Sequence, residues 1–77
     1  MNKAMLLKKF GKNLKIERIK QDLTQEKLAE KMNVSQNYIA SIECGNANMS
    51  LAKIMELSMV LNINIAKLLD FEDLYEI

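Results

Sequence analysis

The chain has 77 residues and a formal net charge of +1; 49% of the residues are apolar, 27% are charged, and histidine, proline and tryptophan are absent. We expect one domain over residues 1–77, because a chain of this length builds a single core and buries only about 60% of its unfolded surface. The lack of histidine excludes Ser-His-Asp and Cys-His catalysis and nearly all zinc sites, so we predict no enzyme activity, no metal and no cofactor.

Helical spacing and capping residues predict five short helices and no strand, which defines an all-α fold. The first predicted helix covers about residues 4–20 and has Leu7, Phe10 and Leu14 on one face. The other four are predicted at about 25–32, 36–43, 51–61 and 65–69, each after a residue able to cap its N-terminus: Thr24, Ser35, Ser50 and Asn64. The predicted inward face of the fourth helix holds Leu51, Ile54, Leu57, Ser58 and Leu61. Residues 71–77 extend the last helix or fray.

Charge is distributed unevenly along the chain. Residues 1–20 carry seven Lys and Arg side chains against one Glu, whereas residues 70–77 carry four acidic side chains and no basic one. A basic segment can contact DNA phosphates, although a solvated helix face has the same composition. The single cysteine excludes an internal disulfide, and no apolar run has the length of a membrane span or a signal peptide.

Residues 25–44 match the pattern of a helix-turn-helix position by position. Ala29 is the fifth residue, where two helices cross closely and only a small side chain fits. Asn33 is the ninth, where the chain turns through a left-handed conformation that asparagine tolerates better than most residues. Five inward positions of the pattern are apolar: Leu28, Met32, Val34, Ile39 and Ile42. A generic helical hairpin would meet fewer of these seven constraints.

Two segments within and beside this pattern carry a family resemblance. Leu23-Thr24-Gln25-Glu26-Lys27-Leu28-Ala29 and Ser35-x-x-Tyr38-Ile39-Ala40-x-Ile42-Glu43-x-Gly45 resemble the Xre/Cro/CI family of phage-repressor-like DNA-binding proteins, over about residues 10–70. The resemblance implies a compact five-helix phage-repressor-like domain whose helix-turn-helix unit covers about residues 24–44. It also implies a sequence-specific transcriptional regulator that binds a palindromic operator in double-stranded DNA as a homodimer, in the cytoplasm of a bacterium or phage host and at the nucleoid.

A narrower resemblance concerns the start of the fourth helix. Asn48-Met49-Ser50-Leu51, together with Tyr38-Ile39 and the total length, resembles the small controller proteins of restriction–modification systems. Those controllers often carry Arg at the start of the recognition helix and in the following loop, where this chain has Gln36 and Ala47, so their operator sequence does not carry over. We expect no small-molecule ligand. The alternative function is an antitoxin, or another protein-binding module with the same fold.

The third predicted helix has an open polar face. On a helical wheel Tyr38, Ile39 and Ile42 point one way, and the opposite face holds small and polar residues. Glutamine and asparagine each present a donor and an acceptor that match N6 and N7 of adenine. We therefore predict that DNA bases are read by Gln36, Asn37, Ala40 and Ser41, with an ordinary solvated surface as the alternative.

The family pattern also assigns roles around the recognition helix. The resemblance implies phosphate contacts from Gln25, Asn46, Asn48 and the hydroxyl of Tyr38, although Tyr38 is equally compatible with a partly buried core position. Arg18 and Glu43 occupy two family positions that form an ion pair between the first helix and the end of the third. Cys44 is interpreted as a small residue at a helix end, with a redox switch as the alternative.

The last part of the chain is rich in apolar residues. Residues 59–77 hold more apolar side chains than a core of this size can bury alone, which predicts self-association. We predict a dimer interface in this region formed by Met59, Ile63, Ile65, Leu68, Leu69, Phe71 and Leu74. The alternative is that these residues complete the core of one chain.

Overall fold

The computed structural model of the protein describes residues 1–71, and within this range every regular secondary-structure element is a helix. The elements are α1 (Lys3–Lys20), α2 (Gln25–Met32), α3 (Gln36–Glu43), α4 (Leu51–Val60) and a 3-10 turn at Ile65–Lys67. The predicted all-α class and the bounds of the first four helices are confirmed to within one residue at each end. No helix in this part of the chain is long and apolar enough to cross a membrane.

The predicted fifth helix at 65–69 is wrong, because the chain makes only one 3-10 turn there. Leu68 and Leu69 donate their backbone N–H groups to the carbonyls of Ile65 and Ala66, three residues earlier. The carbonyl oxygens of Leu68 and Asp70 accept hydrogen bonds of 3.0 and 3.1 Å from the side-chain Nδ2 of Asn13. The segment therefore folds back onto α1 instead of continuing as a helix.

The four predicted N-caps are confirmed. Thr24, Ser35 and Ser50 each accept a hydrogen bond of 3.0–3.1 Å from the backbone N–H three residues later, and Asn64 accepts one from Ala66. These side chains satisfy N–H groups that have no partner inside the helix. Helices this short have little stability of their own, so the caps and the packing of one face fix where each begins.

Left-handed residues end three of the helical segments. Asn33 follows α2 with φ 57° and ψ 44°, as the ninth position of the helix-turn-helix pattern requires. Asp22 and Asn62 have φ 57° and 54° in the connections after α1 and α4. Their short polar side chains tolerate this region, which most side chains avoid for steric reasons. The chain thus turns sharply at each of these points, and the turn at Asn33 packs α2 against α3.

One apolar core joins all four helices and the last described segment. Its buried members are Phe10, Leu14, Leu28, Ala29, Met32, Ile39, Ile42, Met49, Leu57, Leu61, Leu68 and Phe71. Val34, predicted to point inward, is half-buried and packs against this core. Leu51, the first residue of α4, was predicted on the inward face of that helix, but 71% of its surface is exposed.

Gly11 lets α1 approach the end of α3 backbone to backbone. A Cβ atom at this position would overlap the carbonyl oxygen of Ile42 and lie 2.6 Å from that of Glu43. Both atoms are backbone, so neither can rotate away. This close approach places the middle of α1 directly beside the C-terminal end of α3, and it brings Arg18 within reach of Glu43.

Candidate nucleic-acid interface

Helix α3 has one face in the core and the other open to solvent. Ile39 and Ile42 are completely buried and hold the helix against α1 and α2. On the other side Gln36 and Asn37 are exposed, and Ala40 and Ser41 are half-buried. The four predicted base-reading residues therefore lie together on one surface. No side chain larger than glutamine stands among them, so a DNA groove can approach this helix closely.

A polar cluster connects the far end of α3 to α1 and α2. Arg18 forms two hydrogen bonds with the carboxylate of Glu43, from Nε to Oε2 at 2.7 Å and from Nη2 to Oε1 at 3.1 Å. Its Nη1 donates to the carbonyl oxygen of Leu23 at 2.6 Å. Only 10% of the Arg18 side chain and 3% of the Glu43 side chain are exposed. Both charges are thus removed from water but compensate each other.

Gln25 belongs to the same cluster. Its amide nitrogen Nε2 donates to Oε1 of Glu43 at 3.0 Å, and the residue is half-buried. Sequence reasoning assigned Gln25 to a DNA phosphate and missed this contact. Residues 25 and 43 stand at opposite ends of the helix-turn-helix unit, and only the crossing of α2 over α3 brings them together. No spacing rule signals such a contact.

The loop after α3 holds the other predicted phosphate contacts. Asn46 and Asn48 are exposed, and Tyr38 is half-buried with its hydroxyl 3.5 Å from the carbonyl oxygen of Asn48. Gly45 has φ 78°, a conformation that favours glycine, and it turns the chain out of α3. Cys44 is an exposed residue at the C-cap of α3. These residues border the open face of α3 at its C-terminal end.

The structure separates the predicted dimer residues into two groups. Leu68 is completely buried and Phe71 is 9% exposed, so both belong to the core of the single chain. Their assignment to the dimer interface is therefore wrong. Met59 is 73% and Leu69 is 37% exposed, whereas Ile63 and Ile65 are half-buried. Leu74 lies outside the described residues.

Helix α4 carries an exposed apolar stripe, of which only Met59 was predicted to belong to the interface. Leu51, Met55 and Met59 follow one another at intervals of four residues and are 71%, 56% and 73% exposed. Ala52 and Ile65 line a shallow groove beside them. Apolar residues stand on both faces of α4, so helical spacing alone did not distinguish the face in the core from the face in solvent. The packing of α4 against the other helices makes that distinction.

Comparison with known proteins agrees with this geometry. Residues 14–68 match the helix-turn-helix family model. The control protein C.BamHI of Bacillus amyloliquefaciens is 38% identical over 63 residues, which cover 80% of this chain and 78% of that protein. The control protein C.MunI of a Mycoplasma species is 36% identical over 61 residues, which cover 78% of this chain and 82% of that protein. The crystal structure of the restriction-modification controller protein C.AhdI from Aeromonas hydrophila is similar, with a TM-score of 0.76 and 35% sequence identity. The matched region covers 80% of this chain and 94% of that one.

The α2–α3 unit and its open face therefore define a DNA-binding domain. The chain belongs to the helix-turn-helix family of transcription regulators, as its resemblance to the Xre/Cro/CI proteins predicted. The narrower resemblance to restriction–modification controller proteins is confirmed as well, since such controllers are among its relatives in sequence and in structure. Because these relatives are DNA-binding regulators, the prediction that the chain is not an enzyme is also confirmed.

Proposed function

We propose that this protein controls a restriction–modification system by binding a palindromic operator as a homodimer. The observation that carries the proposal is the exposed polar face of α3, held in place by Ile39 and Ile42 on the buried side. The names of the similar proteins support the restriction–modification setting. A regulator of this kind acts in the cytoplasm, on DNA of the nucleoid.

Base reading is proposed for the four residues on the open face of α3. Gln36 and Asn37 are the exposed pair at its N-terminal end, where a recognition helix enters the major groove. Their amides can each form two hydrogen bonds with adenine, which contributes about 1–3 kcal/mol of discrimination per base pair. Ala40 and Ser41 are small enough to let the helix approach, and the methyl group of Ala40 can contact that of thymine.

Phosphate contacts are proposed around the same surface. Asn46 and Asn48 are exposed in the loop after α3, and the Tyr38 hydroxyl lies next to the backbone of that loop. Gln25, in the first turn of α2, is the fourth candidate, although its amide nitrogen already donates to Glu43. Such contacts fix the orientation of a protein on the duplex without reading its sequence.

The dimer interface is proposed on the apolar stripe of α4 rather than across the whole of residues 59–77. Leu51, Met55 and Met59 are among the most exposed large apolar residues in the described part of the chain, and half-buried Ile65 adjoins them. A helix with a straight apolar stripe can pack against its own twofold copy, because a twofold interface uses the same patch on both subunits. Two recognition helices about 34 Å apart would then read two half-sites, one helical turn apart.

Binding to the DNA upstream of the protein's own coding sequence tests the proposal. Fluorescence anisotropy should give much tighter binding to a specific segment of that DNA than to a scrambled duplex of equal length, with affinity falling steeply as salt increases. Two protein chains should bind per operator. If both duplexes bind equally weakly while a toxin-like protein co-purifies from the native host, the antitoxin alternative replaces this proposal.

A further inference from the structure

We propose that Lys15 on α1 contacts a DNA phosphate, and that with Lys8 it forms a basic edge between the loop after α3 and the start of α2. The inference rests on the proposed function and extends its phosphate contacts to a helix outside the helix-turn-helix unit. It begins from the contacts that α1 makes with the C-terminal end of α3.

One side of α1 follows the end of the recognition helix. Gly11 and Arg18 contact the last turn of α3, and both are buried. Lys8 lies against Gly45, the residue that follows the C-cap of that helix. Lys15 comes about two helical turns after Lys8, so the two side chains leave α1 in nearly the same direction. Because both lysines are exposed, they line the open edge of the contact between α1 and α3.

The two ends of this basic edge adjoin phosphate contacts that are already proposed. At one end Lys8 borders the loop after α3, which holds two of them. At the other end Arg18, one helical turn beyond Lys15, is hydrogen-bonded to Glu43. The same carboxylate accepts a hydrogen bond from Gln25, the proposed contact at the start of α2. Lys15 therefore lies between the two groups and can join them into one surface.

The dimensions of the major groove place phosphates beside this edge. The groove is about 12 Å wide and bounded by the two phosphate backbones, and a recognition helix enters it with its N-terminal residues. Helix α3 has 8 residues and is therefore about 12 Å long, so its C-terminal end reaches the rim of the groove. Helix α1 packs against that end and thus presents its basic edge to a phosphate backbone.

The charge of the basic edge is uncompensated in the free protein. Neither Lys8 nor Lys15 belongs to an ion pair in the part of the chain that the structure describes. The one acidic residue of α1, Glu17, is buried and pairs with Lys20 at 3.3 Å. Lys20 follows Gly11 by two and a half helical turns, which places it on the opposite side of α1. The lysines of the basic edge are therefore available to phosphates, whose neutralisation releases counterions.

Substitution of Lys15 tests the proposal. Lys15→Gln removes the charge and keeps a polar side chain. We expect it to weaken binding to operator and to scrambled DNA by the same factor, and to lower the slope of log K against log salt by about one unit. Lys20→Gln makes the same charge change on the opposite side of the same helix, and should leave the slope unchanged. Fluorescence anisotropy gives the slopes, at a temperature where circular dichroism shows every variant to be folded.

Operator duplexes with a single methylphosphonate, placed at each position of one half-site in turn, locate the contact. Neutralising the phosphate that Lys15 contacts should weaken binding of the original protein and of Lys20→Gln, but should have no further effect on Lys15→Gln. The inference is overturned if Lys15→Gln and Lys20→Gln change the slope equally, or if every methylphosphonate affects Lys15→Gln as it affects the original protein. Failure of the original protein to prefer the operator over scrambled DNA would contradict the proposed function instead, so the two failures are distinguishable.

Discussion

Lys8 on α1 lies directly against Gly45, the residue that turns the chain out of the recognition helix. A Cβ atom added to Gly45 would be 3.0 Å from Cα and 2.7 Å from Cγ of Lys8, so the two backbones pack without a side chain between them. Lys8 is exposed, and the loop with Asn46 and Asn48 begins beside it. The basic N-terminal helix therefore borders the proposed phosphate-binding loop instead of facing away from it.

This arrangement predicts an electrostatic role for Lys8 that does not depend on sequence. Lys8→Ala should weaken binding to operator and scrambled DNA by the same factor, because a phosphate contact reads no base. The slope of log K against log salt should fall by about one unit, the value expected for the loss of one neutralised phosphate. Lys67→Ala removes an exposed lysine from the 3-10 turn and should leave the slope unchanged. If the slope for Lys8→Ala also stays at the value of the original protein, Lys8 lies outside the interface.

The ion pair of Arg18 and Glu43 predicts a strong asymmetry between single and double substitutions. Glu43→Met alone leaves Arg18 with a buried charge that nothing compensates, which should lower the free energy of unfolding by about 3–5 kcal/mol. The double substitution Arg18→Met and Glu43→Met removes both charges and should cost only about 1–2 kcal/mol, since the Leu23 carbonyl loses its donor. Urea denaturation measures both values. A double variant less stable than either single one would contradict this account of the pair.

The substitution Gly11→Ala tests the close approach of α1 to α3. Replacing glycine by alanine inside an exposed helix stabilises it by about 1 kcal/mol. Here the added methyl group would meet two backbone carbonyls, so we expect Gly11→Ala to destabilise the protein by about 1–3 kcal/mol despite the gain in helix propensity. Thermal unfolding followed by circular dichroism gives the sign. An increase in melting temperature would mean that the helices do not touch at this point.

The apolar stripe on α4 predicts which charge substitution separates two copies of the chain. Met55→Glu places a carboxylate in the middle of the stripe, and twofold symmetry would bring two such groups together, so dimerisation should weaken at least tenfold. Ile19→Glu changes a similarly exposed apolar residue on α1 and serves as the control. Sedimentation equilibrium should show monomers for the first variant and dimers for the second. The reverse result would place the interface on α1.

The sequence alone predicted the helix bounds well, because local signals determine them. Each N-cap is a Ser, Thr or Asn whose effect extends only to the next turn, and Asn33 tolerates the left-handed turn that its position requires. At 65–69 the structure has a 3-10 turn instead of the predicted helix, and Asn13, more than fifty positions earlier, donates hydrogen bonds to the carbonyl oxygens of Leu68 and Asp70. Short-range rules do not contain such a contact.

In the candidate site, too, some features follow from local sequence signals and others depend on contacts between distant residues. The open face of α3 follows from the period of a single helix, and its four residues do share one surface. The contact of Gln25 with Glu43 depends on how two helices cross, and the core positions of Leu68 and Phe71 depend on where the chain turns back. Apolar composition predicted that residues 59–77 mediate self-association, whereas the burial of Leu68 and Phe71 shows that part of this apolar surface packs within the same chain.

The central claim is that this protein recognises a particular DNA sequence through the exposed end of α3. Its most direct test is the affinity of the double variant Gln36→Ala, Asn37→Ala for the upstream operator and for a scrambled duplex, compared with that of the original protein. We predict that the preference for the operator falls at least tenfold, because each amide contributes about 1–3 kcal/mol of discrimination, while affinity for the scrambled duplex stays within twofold. An unchanged preference for the operator in the double variant would contradict the account.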